Sequence, residues 1–342
     1  MERNFNPEKF HKEYLKGYKP LLSYNDGCDY RLWREQVKEK YKDIIRKPEK
    51  ELDAVPEVEY TKEHDDYTEI RYTFESEPGY FVPCHLLIPK NAEKPCPVVI
   101  CLQGHSTGMH TSIAVDWRDE ITPIQDDGDR DFCLECMRRG IIGVAFEQRY
   151  MGERSSHPEH KPSCGCLNGG AGATQALLLG RTAIGERVYD VDRLIDYLLT
   201  RPEIDSSELG IMGGSGGGTT TMFAGAMLSR LKYIMPAVSF SSFRASIGSM
   251  YHCECNYIPG LLNFGESADV TGLCAPKKLV IVNGRFDSIF PLNAGLVQFE
   301  RVKNIYRAAG VADLCKMVIG EGGHRFYADI AWGAMLKLFA KR

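Results

Sequence analysis

Gly213-Gly214-Ser215-Gly216-Gly217 places a serine between paired glycines, directly after an apolar run and before a helical stretch. Glycine two residues before and two after a serine is what a nucleophile on a sharp strand-to-helix turn requires, because side chains there would collide with the neighbouring strand and helix. The helix that follows aims its first amides at the reacting carbonyl, where developing negative charge is stabilised. A phosphate-binding or merely close-packed turn has a similar pattern, but the lysine of a phosphate loop is missing here. Two later segments supply partners. The apolar run 278–282 leads into Asn283-Gly284-Arg285-Phe286-Asp287, a carboxylate just past the end of a late strand. Glu321-Gly322-Gly323-His324-Arg325-Phe326 presents a histidine on a glycine-rich loop before the last helix. Taken singly, these are equally a turn carboxylate and a surface histidine. In the chain order serine, acid, histidine they predict Ser215 as nucleophile, His324 as base and Asp287 as the acid that orients it.

Acyl transfer by such a triad needs two backbone N–H groups aimed at the oxyanion. Gly216, immediately after the nucleophile, is one expected donor. The other is His105, in the loop Gln103-Gly104-His105-Ser106 after the apolar run ending Cys101-Leu102. Only its amide is needed, so its imidazole is read as incidental; the alternative is a plain polar loop residue.

The elements that must hold these loops are legible as alternating short apolar runs and helical stretches. Strands are expected over 97–102, 141–146, 209–212, 233–238 and 278–282, with a weaker one over 314–319. Such runs suit strands buried on both faces of a parallel sheet. Helices are expected around Val188, Val191, Leu194, Ile195 and Leu198, over about 217–228 and 292–308, and at the end of the chain over about 326–341. Residues 67–74 and 80–88 read as a hairpin ahead of them. Trp33, Val37, Tyr41 and Ile44 recur at spacings of three and four, which predicts a helix in the first fifty residues. The expectation is an α/β chain: a mostly parallel sheet with helices on both faces in a catalytic domain of 65–342, plus an N-terminal helical extension over 1–64.

Bulk composition excludes other classes. Of 342 residues, 43% are apolar and 26% charged, ordinary for a globular protein. A net charge of −4 without basic runs argues against a nucleic-acid partner. No window has the roughly 20 apolar residues of a membrane span, and the N-terminus does not resemble a secretory signal, so a cytoplasmic protein without membrane partners is expected. A homo-oligomer is compatible with the sequence. The 12 cysteines then read as reduced thiols.

Two cysteine- and histidine-bearing segments stand apart. One holds His157, His160, Cys164 and Cys166; the other is Tyr251-His252-Cys253-Glu254-Cys255. Such sets can bind zinc. Cys-x-Cys is tighter than the usual Cys-x₂-Cys, however, and a serine triad needs no ion, so no metal and no cofactor are expected. Instead, segments 157–166 and 251–264 are read as loops over the carboxyl ends of the strands, bordering the Ser215 pocket. Tyr257, Pro259, Leu261 and Phe264 would form an apolar wall, and His252 or Arg149 would meet a polar group of the substrate.

The Gln103-Gly104-His105 loop, the turn Glu147-Gln148-Arg149-Tyr150-Met151-Gly152-Glu153, the glycine-flanked serine and the two later loops together resemble the α/β-hydrolase superfamily. Within it the chain resembles the acetyl xylan esterase and cephalosporin-C deacetylase-like hydrolases, near the dienelactone hydrolases, over about residues 65–342. The resemblance implies the α/β-hydrolase fold and hydrolysis of carboxylic esters, often acetyl esters of sugars or small molecules, without a cofactor. Two features depart from it: Arg149-Tyr150-Met151 stands where the deacetylases carry Arg-Gly-Gln, and the dienelactone hydrolases have cysteine where this chain has Ser215. A peptidase of the prolyl oligopeptidase type shares the catalytic domain, but about 65 residues upstream cannot form its propeller. A non-catalytic binding protein on the same scaffold is the reading from another class.

Overall fold

The computed structural model of the chain describes residues 3–106, 108–156 and 170–339. Nine strands form one sheet in the order β1-β2-β3-β5-β4-β6-β7-β8-β9. β1 (Pro56–Glu63), β2 (Tyr67–Glu77) and β3 (Tyr80–Pro89) make an antiparallel meander, and β3 also pairs antiparallel with β5 (Ile142–Phe146). Every remaining pairing is parallel, through β4 (Cys96–Leu102), β6 (Ile204–Gly214), β7 (Tyr233–Ala237), β8 (Lys278–Gly284) and β9 (Cys315–Gly320).

The central parallel strands carry buried apolar runs because both of their faces are covered. Val98, Ile100 and Leu102 of β4 point into one core with residues of the helices Tyr30–Ile45, Ala183–Leu198, Gly216–Met227 and Leu292–Ala308. Val99 and Cys101 point into a second core with residues of the helices Phe132–Met137 and Ala328–Phe339. The two-residue period of a strand divides one continuous apolar run between two layers. From β4 the chain passes to β5 on one side, then to β6 on the other. The loops leaving β4 and β6 therefore diverge, which opens a crevice at the carboxyl ends of the strands.

The strand β1 is absent from the sequence reading. Pro-Glu-Val-Glu-Tyr-Thr-Lys-Glu offers few apolar residues, and most of its side chains are exposed, since it lies at the sheet edge. The N-terminal periodicity does form a helix, Tyr30–Ile45, capped by the Asp29 carboxylate accepting from the amides of Arg31 and Leu32. Trp33, Val37, Tyr41 and Ile44 are buried in the same core as β4 and β6. The Tyr41 ring lies edge-on to Phe223, on the helix that follows Ser215, with centroids 6.3 Å apart. No helix among the described residues is long and apolar enough to cross a membrane.

Because Tyr41 is fully buried in a core shared with the sheet, Tyr41→Ala should destabilise the whole chain by about 3–5 kcal/mol. Urea unfolding should keep one transition with a lower midpoint; an unchanged main transition would mean that the N-terminal helix unfolds separately.

Candidate active site

Ser215 sits between β6 and the helix Gly216–Met227 with φ 53° and ψ −119°. A non-glycine residue in this region is strained and must be held there by its surroundings. Its amide donates to the Ala237 carbonyl at 2.9 Å, and its carbonyl accepts from Thr219 N at 2.9 Å. The flanking glycines are steric requirements: a Cβ on Gly217 would lie 2.2 Å from the Leu102 carbonyl oxygen. A Cβ on Gly104 would lie 2.9 Å from Cβ of Ser215. The loop after β4 thus touches the turn at the serine itself.

Asp287 follows β8, and its carboxylate is fully buried. Oδ1 accepts from the amides of Ile289 (2.8 Å) and Phe290 (3.1 Å), which leaves Oδ2 directed at His324 Nδ1, 2.8 Å away. The two loops are laced together: Arg285 N donates to the Gly320 carbonyl and Phe286 N to the Gly322 carbonyl, at 2.9 and 2.8 Å. An Arg285–Glu321 fork bridges them at the surface with contacts of 2.6 and 2.7 Å. An Asp287 carboxylate accepting from Nδ1–H leaves Nε2 of His324 as the hydrogen-bond acceptor. Ser215 and His324 line one cavity of about 340 Å³, together with Gly104, His105 and Gly216.

The turn after β5 supports the His105 loop from below. Gln148 Nε2 donates to the Gln103 carbonyl at 2.5 Å, and the Gln103 side chain donates to Ser112 Oγ and to the Arg130 carbonyl, both at 2.6 Å. Met151 Cε and His105 Cε1 each lie where a Cβ on Gly216 would come within 3.0 Å. Gln148 and Met151 entered the sequence reading only within the turn that carries the resemblance, with no role of their own, since a positioning role leaves no spacing pattern.

Of the side chains expected in the pocket wall, His252 lines the cavity and the others do not. Phe290 lies between two histidines, with centroids 5.5 Å from His252 and 5.9 Å from His324. Burial, with His105 and His324 nearby, lowers the His252 pKa to about 4, so it is neutral at pH 7. Arg149 is buried under the site instead, its fork on Asp190 at 2.7 and 2.8 Å and Glu77 at 2.6 Å. Tyr257 and Leu261 border a second cavity, and Pro259 is exposed. Phe264 packs towards the N-terminal helix, with Lys40 Nζ 4.4 Å from its ring centroid. The physical reason is that Leu21 N and Leu22 N capture the carbonyls of Asn263 and Phe264 at 2.9 Å, drawing that segment away from Ser215. The wall is made in their place by Phe132, Phe290 and Phe326, with Arg130 and Arg325 also lining the cavity. His157, His160, Cys164 and Cys166 lie outside the described residues.

Glu147, at the end of β5, is buried below the His105 loop and accepts from the amides of Met109 (3.2 Å) and Glu153 (3.3 Å). Burial pushes its carboxyl up to about 7 from an ordinary value of 4.5. Below that ordinary value the group is protonated in folded and unfolded chains alike. As pH rises, the unfolded chain loses its proton first, so the folded state loses stability until about pH 7. The melting temperature of Glu147→Gln should therefore gain on the parent across this window and hold a constant lead above it; a pH-independent difference would contradict the burial argument.

Four similarities to known proteins bear on this geometry. The profile of the Abhydrolase family matches residues 4–238, a span that includes the N-terminal helices, the His105 loop and Ser215. YtaP of Bacillus subtilis (strain 168), designated a hydrolase, is 24% identical over 258 residues, which is 73% of this chain and 78% of that protein. Among solved structures, a Bacteroides fragilis NCTC 9343 protein designated an acetyl xylan esterase superposes with a TM-score of 0.76 at 15% identity, covering 98% of this chain and 90% of the other. A glucuronoyl esterase from Solibacter usitatus superposes with a TM-score of 0.68 at 16% identity, covering 94% and 97%. With its nine-stranded, mostly parallel sheet and its serine on the turn after β6, the chain has the α/β-hydrolase fold and belongs to the Abhydrolase family.

Proposed function

We propose that the protein is a serine hydrolase of small carboxylic esters, acting through a Ser215–His324–Asp287 triad and an acyl-enzyme. The observation that carries this reading is the 2.8 Å contact between Asp287 and His324 Nδ1, in the same cavity as a serine held at positive φ. In this mechanism His324 Nε2 takes the Ser215 proton as Oγ attacks the ester carbonyl. The oxyanion is received by the amides of Gly216 and His105, and His324 returns the proton to the leaving alcohol. Water then attacks the acyl-enzyme with His324 again as base, releasing the acid and free Ser215. Asp287 holds the tautomer and stabilises the imidazolium.

Aromatic walls and a volume of about 340 Å³ suit a short acyl group. Arg130 and Arg325, 43% and 41% exposed and paired with Asp126 and Asp129, present polar groups suited to an oxygen-rich alcohol. Acetylated sugars fit both features, in keeping with the acetyl xylan and glucuronoyl esterase designations of the structural relatives.

Ser215→Ala should retain the fold and lose about 10⁶ in kcat on a p-nitrophenyl ester. A fluorophosphonate probe should label the parent chain and not the variant. Across p-nitrophenyl esters of rising acyl length, kcat/KM should be highest for acetyl or propionyl. More than a few per cent residual activity in pure Ser215→Ala protein would refute the nucleophile, and a preference for long chains would refute the acyl assignment alone.

A further inference from the structure

The triad leaves one nearby set of side chains unused. His105, Cys253 and Cys255 come together from two loops, the first after β4 and the second after β7, and their donor atoms all lie within 4.8 Å of one another. Cys255 Sγ is 3.5 Å from His105 Nε2 and 3.1 Å from Cys253 Sγ. Both thiols are buried, and His105 and Cys253 also line the Ser215 cavity.

Against the expectation drawn from the Cys-x-Cys spacing, we propose that these three side chains form a zinc site beside Ser215. Around a tetrahedral ion with Zn–S near 2.3 Å and Zn–N near 2.0–2.1 Å, a sulfur and a nitrogen lie about 3.5 Å apart and two sulfurs about 3.8 Å apart. The Cys255–His105 separation matches the first distance as it stands. The thiol pair has to open by only about 0.7 Å to match the second. Two thiols and an imidazole select zinc over magnesium or calcium, which take oxygen ligands. Binding releases the two thiol protons to solvent, leaves neutral His105 coordinating through Nε2, and changes no oxidation state. The second histidine-bearing cluster, His85, His110 and Glu120, is a poor rival, because the Arg71 guanidinium already stands 3.1 Å from His85 Nε2 and 3.5 Å from Glu120. A cation is in place there.

The ion would act as a positioning element. It would clamp the loop that lies against Gly216 to the segment that carries His252. The site stands whether or not Ser215 is the nucleophile, since nothing in its coordination involves the triad. It also gives the His105 imidazole a purpose that the chain's order of motifs does not suggest.

The full chain, expressed with zinc and purified without chelator, should carry about one zinc per molecule by mass spectrometry of the metal. Exchange for cobalt should produce a thiolate-to-cobalt charge-transfer band in the near ultraviolet. Cys253→Ser and Cys255→Ser should each lose the band while keeping the far-ultraviolet circular dichroism. Trace zinc in the parent, both as purified and after the reduced protein is incubated with zinc, overturns the proposal. So does full zinc in a variant combining Cys253→Ser and Cys255→Ser, which would place the ion elsewhere. Should the variants fail to fold, the cobalt spectrum of the parent decides, and absence of the thiolate band overturns the site. Loss of zinc with intact fluorophosphonate labelling would leave the esterase reading standing.

Discussion

Ser215 stays in a backbone conformation that costs on the order of 1–3 kcal/mol only while its surroundings exclude every alternative. The constraint is one of space. β4 and the loop after it pass so close to the turn that a Cβ on Gly217 would meet the Leu102 carbonyl, and a Cβ on Gly104 would meet the Gly214 carbonyl and Ser215. β7 closes the other side through the Ala237 carbonyl, which receives the Ser215 amide. The serine is thus gripped between its two neighbouring strands, and the helix after it starts in the only direction left. The Asp287 and His324 loops lie on strands farther along the same sheet, so their reach to the site depends on a parallel register that runs unbroken from β6 to β9.

How much of this could be read beforehand follows from which features are local. Most of the parallel strands contain a short apolar run, and Ser215, Asp287 and His324 each sit in a glycine-bearing loop, so the parallel strands and the three candidate residues were all marked in the sequence. β1 escaped because an edge strand needs little apolar surface. The pocket wall was misjudged because its geometry depends on partners distant in sequence. Tyr18 Oη donates to Asn263 Oδ1 at 3.0 Å, and residues 21–22 take the neighbouring carbonyls; no periodicity in either segment announces that pairing. Arg149 looked like a ligand for a polar substrate until Asp190, at full burial, proved to be its partner. The cluster of His105 with Cys253 and Cys255 was equally hidden, since it joins loops about 150 residues apart.

Beneath the His105 loop lies a second polar layer. Arg71 of β2 forks onto Glu153 at 3.1 and 2.8 Å, His85 of β3 contacts Glu69 at 2.8 Å, and His110 contacts Glu120 at 3.0 Å. Burial pushes the Glu69 carboxyl up, but hydrogen bonds from His85 and His64 outweigh it and hold the group at about 2. Pairs like these gain little net stability over apolar packing, since desolvation offsets the attraction. Their contribution lies in direction: each bond accepts one orientation, so the segment 108–113 and the turn after β5 are fixed relative to the antiparallel strands. The loop resting on them inherits that fixity.

β1 carries a further consequence for how copies of this chain meet. It leaves the outer rim of the sheet lined with Glu57, Glu59, Lys62 and Glu63, all of them exposed. A free rim of backbone donors and acceptors is a template on which another strand can grow. Two copies aligned there by a two-fold axis would bring glutamates into proximity across the seam, offset in each copy by Lys62 and by the pairs Arg71–Glu59 and Lys90–Glu63, at 3.1 and 2.9 Å. The side chains that hid this strand from a hydrophobic pattern search are thus the ones that guard it against edge-to-edge aggregation.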